Sequence, residues 1–272
     1  MHANILISFM FLALGLPSAC GGQKNHKPLM GGIQSREQQQ KQTAAASDPC
    51  LPAPLRDRPE QILRREGYVA SYNRDLRICN WVAWHLTKTH SSGPYKRKGI
   101  SFREDTEVAQ PRPQNSDYAR SGYERGHMCP SGDNQWSQKA QEDCFLFTNM
   151  CPQSHDLNSG DWNDLESKCR DWARRYGDIY IVAGPVLRGS RHRKIGRNRV
   201  TVPEAFYKVV LCMKGQPRAL GFLYENEDGH RKMSSYVKTV DEIEALTGID
   251  FFASLPEDVE QAVERRSDFL AW

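Results

Sequence analysis

The sequence offers little that would span a membrane. Its apolar run ILISFMFLALGL, Ile5 to Leu16, is shorter than the roughly 20 residues a transmembrane helix needs. Internal repeats are absent, which sets aside solenoids and propellers. The eight cysteines include no close Cys-x-x-Cys pair, the usual spacing of structural zinc ligands. His127-Met128-Cys129 lacks the glutamate that a zinc deaminase carries two residues after its histidine. Charge of one sign is scarce too: 37 Lys and Arg stand against 33 Asp and Glu, a net +4 that names no partner by itself. What remains can still fold. A hydrophobic content of 39% with six Trp over 272 residues supports a real core and excludes a wholly disordered chain.

The N-terminus reads as an address. The apolar run has the length of a signal-peptide core, giving a signal peptide over residues 1–19. LPSAC then resembles a bacterial lipoprotein cleavage box with Cys20 as the lipidated residue, although no Lys or Arg precedes the run and Pro17 stands where the box prefers Leu. The expectation is an exported bacterial protein: periplasmic, held to the outer membrane through Cys20, or secreted. Export would permit disulfides. With Cys20 acylated, seven cysteines remain, an odd number whose connectivity spacing cannot give. Residues 20–60, rich in Gln, Ala, Gly and Pro without apolar period, read as a tether. The folded domain is expected over 61–272.

Within that domain the signals are mixed. NWVAWHLT (Asn80 to Thr87) alternates as a strand does, and DIYIVAGP (Asp178 to Pro185) is a short buried run stopped by Gly-Pro. VTVPEAFYKVVLCM and RALGFLYEN read as two more strands, the first with an edge or bulge at Pro203. TVDEIEALTG carries a capping box, Thr239 with Glu242, and a stop at Gly248. Strands and helices do not alternate strictly. An α+β fold with a mixed or antiparallel central sheet and packed helices is therefore expected.

The clearest helix is Asn158 to Gly177, where Trp162, Leu165, Cys169, Trp172 and Tyr176 share one narrow apolar stripe. Glu166 and Arg170 flank it as an i,i+4 pair. Asn158 sits at its entrance, where Asn is a common cap. Basic residues cluster in RGSRHRKIGRNR (Arg188 to Arg199), six Arg or Lys in twelve residues, and again at Lys96-Arg97-Lys98; such loops suit solvation or a polyanion.

Order along the chain changes the weight of these pieces. YERGHM is followed by Asn149, then Asn158 nine residues later, with Trp162, Leu165, Glu166 and Arg170 at fixed offsets. This arrangement closely resembles the DNA/RNA non-specific endonucleases, the family of endonuclease G and secreted sugar-non-specific nucleases. Its signature is Asp-Arg-Gly-His followed by a segment like Asn-x8-Asn-x3-Trp-x2-Leu-Glu. FREDTEV, DYARSGYERGHM, NQWSQKA, VAGPV and LTGIDFF also match in order, over roughly Glu66 to Leu255. Glu124 replaces the family's Asp, keeping the carboxylate but adding a methylene.

The resemblance implies a ββα-metal (His-Me finger) active site that hydrolyses phosphodiesters of DNA and RNA. In it His127 acts as general base, a task suited to an imidazole with an ordinary pKa near 6.5. It implies Mg²⁺, with Mn²⁺ as the substitute, bound directly by Asn158 and through water by Glu166. Arg125, Arg170 and Arg97 are implied phosphate contacts, and Asn149 a brace for the histidine. Gly126 lets the backbone approach the phosphate. Contacts confined to the phosphate backbone give little base preference. A homodimer is a further implied partner, since family members often dimerise. Two other readings compete: a zinc module using His127, Cys129, Cys144, Cys151 and His155, and a non-catalytic nucleic-acid-binding lipoprotein retaining the nuclease fold.

Overall fold

The computed structural model describes residues 49, 51–227 and 230–272; the expected signal peptide, Cys20, Cys50 and the tether up to residue 48 lie outside the described residues. The strands, in chain order, are β1 Gln61–Arg64, β2 Val69–Asn73, β3 Ile78–Thr87, β4 Glu124–His127, β5 Met150–Gln153, β6 Asp178–Val186, β7 Lys194–Ile195, β8 Val200–Thr201, β9 Ala205–Cys212, β10 Arg218–Glu225 and β11 Val237–Lys238. The α-helices are α1 Asn115–Tyr118, α2 Gln138–Asp143, α3 Trp162–Tyr176, α4 Val240–Thr247 and α5 Glu257–Glu264.

Seven strands form one sheet in the order β1-β2-β3-β6-β9-β10-β11, and every neighbouring pair is antiparallel. The α+β class expected from the sequence is the class observed. Both faces of the sheet are covered, so its central strands are apolar on both sides. Along β9, Phe206, Val210 and Cys212 point into one core with Trp162, Leu165, Cys169 and Trp172 of α3. Ala205, Tyr207, Val209 and Leu211 point into the other core, with Val240 and Ile243 of α4 and Val263 of α5. The period-2 geometry of a strand thus sorts one continuous apolar run between two layers. Lys208 shares the parity of Phe206 and Val210 and is fully buried on the α3 side.

Three local expectations change in the structure. VTVPEAFYKVVLCM is not one strand: Val200–Thr201 pairs with Lys194–Ile195 in a small separate ribbon, and β9 starts only at Ala205. Pro203 lies in the break, where its missing N–H cannot serve a ladder. Regular helix begins at Trp162 and not at Asn158, because a π-type turn spans Leu157–Asp161 and Gly160 leaves helical space at φ −105°, ψ −109°. Asn, Ser and Gly in that turn are poor helix formers. The chain before β1, expected within the tether, already lies on the domain from residue 51. Leu51 and Leu55 pack on the α4 side, and the Ala53 N–H donates to Asp250 O at 2.9 Å.

The ends of α3 and α4 follow their sequences. Gly177 closes α3 at φ +99°, and the Thr239–Glu242 capping box opens α4, which Gly248 ends in the left-handed region at φ +67°. The six described cysteines within the domain form no disulfide and are buried, with the Cys79 and Cys151 sulfurs 3.9 Å apart.

Trp172 anchors α3: it is 1% exposed, its ring centroid lies 4.8 Å from that of Trp272 and it packs near Phe222 and Phe269. Trp172→Ala should cost about 3–5 kcal/mol. Thr239→Ala, which removes only a cap, should cost about 1 kcal/mol. Urea unfolding of the two variants checks this ordering; equal losses would mean that α3 is not held by its apolar stripe.

Candidate active site

Strands β4 and β5 lie outside the main sheet and pair only with each other, His127 facing Met150 and Glu124 facing Gln153. With α3 they make a ββα unit. Two contacts fix it. The Trp162 indole N–H at the start of α3 donates to His127 O at 3.2 Å, tying helix to ribbon. Asn149 lies fully buried just before β5 and accepts from Cys129 N–H at 2.9 Å. Its Nδ2 donates to Cys129 O and Cys144 O, each at 2.9 Å, and its own carbonyl accepts from Met128 N–H at 3.0 Å. Asn149 is therefore a positioning residue. The bonds to Met128 and Cys129 hold the chain immediately after His127, and the bond to Cys144 ties it to the end of α2.

Gly126 has a further, steric reason. A Cβ there would overlap the Gln153 side-chain amide, which is completely buried beside it. The absent side chain makes room for the neighbouring strand.

His127 is partly buried, and its Nε2 is sealed from solvent without a hydrogen-bond partner. Phe145 meets the ring edge-on at 5.2 Å and Phe102 lies at 5.7 Å. Burial among these rings, with the positive charge of Arg97 nearby, pushes the imidazole pKa down to about 3. The histidine is thus neutral at pH 7.

Glu124 is the second organiser. One oxygen accepts from Asn158 Nδ2 at 2.7 Å, and the other lies 2.8 Å from His155 Nδ1. Burial raises its pKa, but the hydrogen bonds from Asn158 and His155 outweigh that and hold the carboxyl below its ordinary value. The Asn158 N–H donates to Ser154 O at 3.0 Å. With its Nδ2 held by a carboxylate, Asn158 keeps its amide oxygen as the free donor atom to a ligand. A neutral oxygen of this kind, beside carboxylates, suits a hard divalent cation such as Mg²⁺.

The Glu166–Arg170 pair expected along the helix is replaced by a longer-range contact. Arg170 donates to Asp133 at 3.1 Å and to Ser167 at 3.0 Å, and Asp133 also accepts from the Trp84 indole at 3.0 Å. Arg170 is thus committed to holding α3 against the turn Ser131–Asp133, which the sequence presents only as a Pro/Gly loop. A Cβ on Gly132 would come within 2.9 Å of its guanidinium. Burial raises the Glu166 carboxyl to about 7, against the opposing pull of Lys208. Arg125 donates to Asn115 at 2.8 Å and lies over Phe102 and Tyr118, 5.2 and 5.9 Å from their ring centres. Arg97 is exposed, 5.7 Å from the centre of the Phe145 ring.

Sequence reasoning missed Asp133, Lys208, Phe102, Phe145 and the role of His155. Lys208 is the most readable omission, a lone cation in the apolar run AFYKVVL. Its Nζ has no hydrogen-bond partner and sits over Trp162 at 4.3 Å and Trp84 at 5.6 Å. Of the basic loop, Arg188 is taken up by Glu225 at 2.6 Å, while Arg191, Lys194, Arg197 and Arg199 are exposed.

Residues 54–258 match the family model described as DNA/RNA non-specific endonuclease. The human mitochondrial nuclease EXOG is 34% identical over 206 residues, covering 70% of this chain and 56% of its own. Human mitochondrial endonuclease G is 32% identical over 209 residues, covering 72% and 70%. A nuclease from Nostoc sp. is 29% identical over 233 residues, covering 81% and 84%. This chain spans 60% of the zebrafish EXOG and 56% of the human one. A chain in the solved EndoG/EndoGI complex aligns with a TM-score of 0.71 at 28% identity, over 79% of this chain and 91% of that one. Sequence, fold and the ribbon–helix unit agree: the chain belongs to the DNA/RNA non-specific endonuclease family.

Proposed function

We propose that this chain is a Mg²⁺-dependent nuclease that hydrolyses phosphodiester bonds of DNA and RNA with little base preference. One observation carries the reading. Glu124, three residues before His127 on the same short strand, holds Asn158 by its amide nitrogen, so one carboxylate couples the candidate base to the candidate metal ligand.

A phosphodiester resists water because its oxygens repel nucleophiles and its alkoxide leaves badly. Since His127 Nε2 is buried among aromatic rings, Nδ1 is the nitrogen that meets the attacking water and takes its proton. A neutral imidazole is ready for that task without first losing a proton. The Asn158 oxygen would hold the metal, with Glu166 accepting hydrogen bonds from its waters. When bound, the cation supplies Lewis-acid charge for the phosphate oxygens and the leaving alkoxide. Arg125 and Arg97, lying over the aromatic rings that enclose His127, face the incoming backbone. Arg170 acts through Asp133, keeping α3 in place. Phosphate contacts of this kind position a strand without reading bases, and binding should weaken steeply with salt.

His127→Ala should lose at least about 100-fold in turnover while still retarding DNA in a gel shift; cleavage near the parent rate would remove the histidine from the base role. Asn158→Ala should lose activity that excess Mg²⁺ restores only in part. An unchanged Mg²⁺ dependence in that variant would exclude the amide as a ligand.

The depressed imidazole also makes a prediction about pH. With its folded pKa near 3 and its unfolded value near 6.5, His127 stays neutral through mildly acid conditions. At saturating Mg²⁺, kcat should therefore show no loss centred near pH 6.5, and a step there would contradict the buried ring. The stability that goes with this shift is fully present above the unfolded value and drains as pH falls toward the folded one.

A further inference from the structure

On the sheet face away from α3, three carboxylates converge with no base among them. Asp241 and Glu244 stand one turn apart on α4, and Glu264 is the last residue of α5; their oxygens come within 4.8 Å of one another. This is the one such grouping of possible metal ligands among the described residues.

Glu264 makes the cluster more than a patch of surface acid. It is 7% exposed, and its Oε1 is shielded from solvent without a hydrogen-bond partner. A carboxylate oxygen of the same side chain lies within 4.8 Å of a carboxylate oxygen of each of Asp241 and Glu244. A buried carboxylate with no partner is costly, and its position at the C-terminal end of a helix, where the dipole is negative, adds to the cost. Of the flanking cations, Lys238 reaches Glu242 at 3.3 Å and Arg265 reaches Gln261 at 3.3 Å. Glu244 has one partial relief, the Phe251 N–H at 2.7 Å. Burial, with the negative charges of Asp250, Asp241 and Glu260, raises the Glu244 carboxyl to about 7 against the Phe251 hydrogen bond, and burial, with the charges of Glu244, Glu260, Asp241 and Asp250, raises the Glu264 carboxyl to about 8.

We infer that Asp241, Glu244 and Glu264 form a binding site for a hard divalent cation, Ca²⁺ by its donor set, that clips α4 to α5. Three carboxylates from two helices supply the oxygen-only, loosely ordered shell that Ca²⁺ accepts and that Mg²⁺, with its strict octahedron, fits less well. The site is structural. It lies against the core of Val240, Ile243 and Val263, whereas α3 and the ribbon pack on the other core.

Thermal unfolding of the full chain, metal-free and with Ca²⁺ in large excess at about pH 8, tests the site. Ca²⁺ should raise Tm by about 5 °C in the parent, and equally in Asn158→Ala, which alters only the candidate catalytic ligand. The shift should vanish in Glu264→Gln and shrink in Asp241→Asn, where the changed residue is exposed and its loss should leave the fold intact. Calorimetric titration should show tighter binding of Ca²⁺ than of Mg²⁺ at this site. A parent with no Ca²⁺ response, or a response undiminished in Glu264→Gln and Asp241→Asn, would overturn the assignment.

Discussion

Asn149 gives its side-chain hydrogen bonds to main chain, receiving one from Cys129 and donating to the carbonyls of Cys129 and Cys144. Those groups belong to two stretches of chain far from each other in function: the exit of the strand carrying His127, and the end of α2. An unmet amide in so dry a place would cost several times what one hydrogen bond contributes, so the conformation after His127 is strongly specified. The Trp162 indole fixes the same histidine's carbonyl from the helix side. Ribbon and helix are thereby joined through the main chain of the ribbon, without engaging the His127 imidazole.

Charge in the site is distributed by burial. Asp133 and Lys208 are almost completely enclosed, and Arg170 is largely so. Burial raises the Asp133 carboxyl, while Arg170 and Lys208 oppose the rise. Glu166, next to this group, is raised to about 7 by its burial. The outer charges behave differently: Arg97, Arg191, Arg197 and Arg199 remain in solvent, where they are screened by salt but can meet a polyanion. The longer side chain of Glu124 also finds its use here, spanning from Asn158 on one oxygen to His155 on the other.

The sequence carried most of the architecture and part of the site. Alternation located β3, short apolar runs located β6 and β10, the apolar stripe located α3, and Thr239 with Glu242 located the start of α4, because each is a local pattern. Ordered matches to a family signature located His127, Asn149 and Asn158. The misses share a cause. Asp133 sits in a Pro/Gly turn, Lys208 in an apolar strand and Phe102 in a loop, and nothing local marks the first two as neighbours of α3 or the third as a neighbour of the histidine.

By itself, then, the sequence determined the apolar runs of its strands, the face of its principal helix and the residues of the family signature, since all of these depend on spacings of a few residues. Tertiary structure alone decided that Arg170 turns to Asp133 and not to Glu166, that Glu124 grips Asn158, and that Glu264 points its carboxylate at α4. Those outcomes depend on which distant side chains the seven-stranded sheet brings within hydrogen-bonding distance, and on how much water it leaves around them.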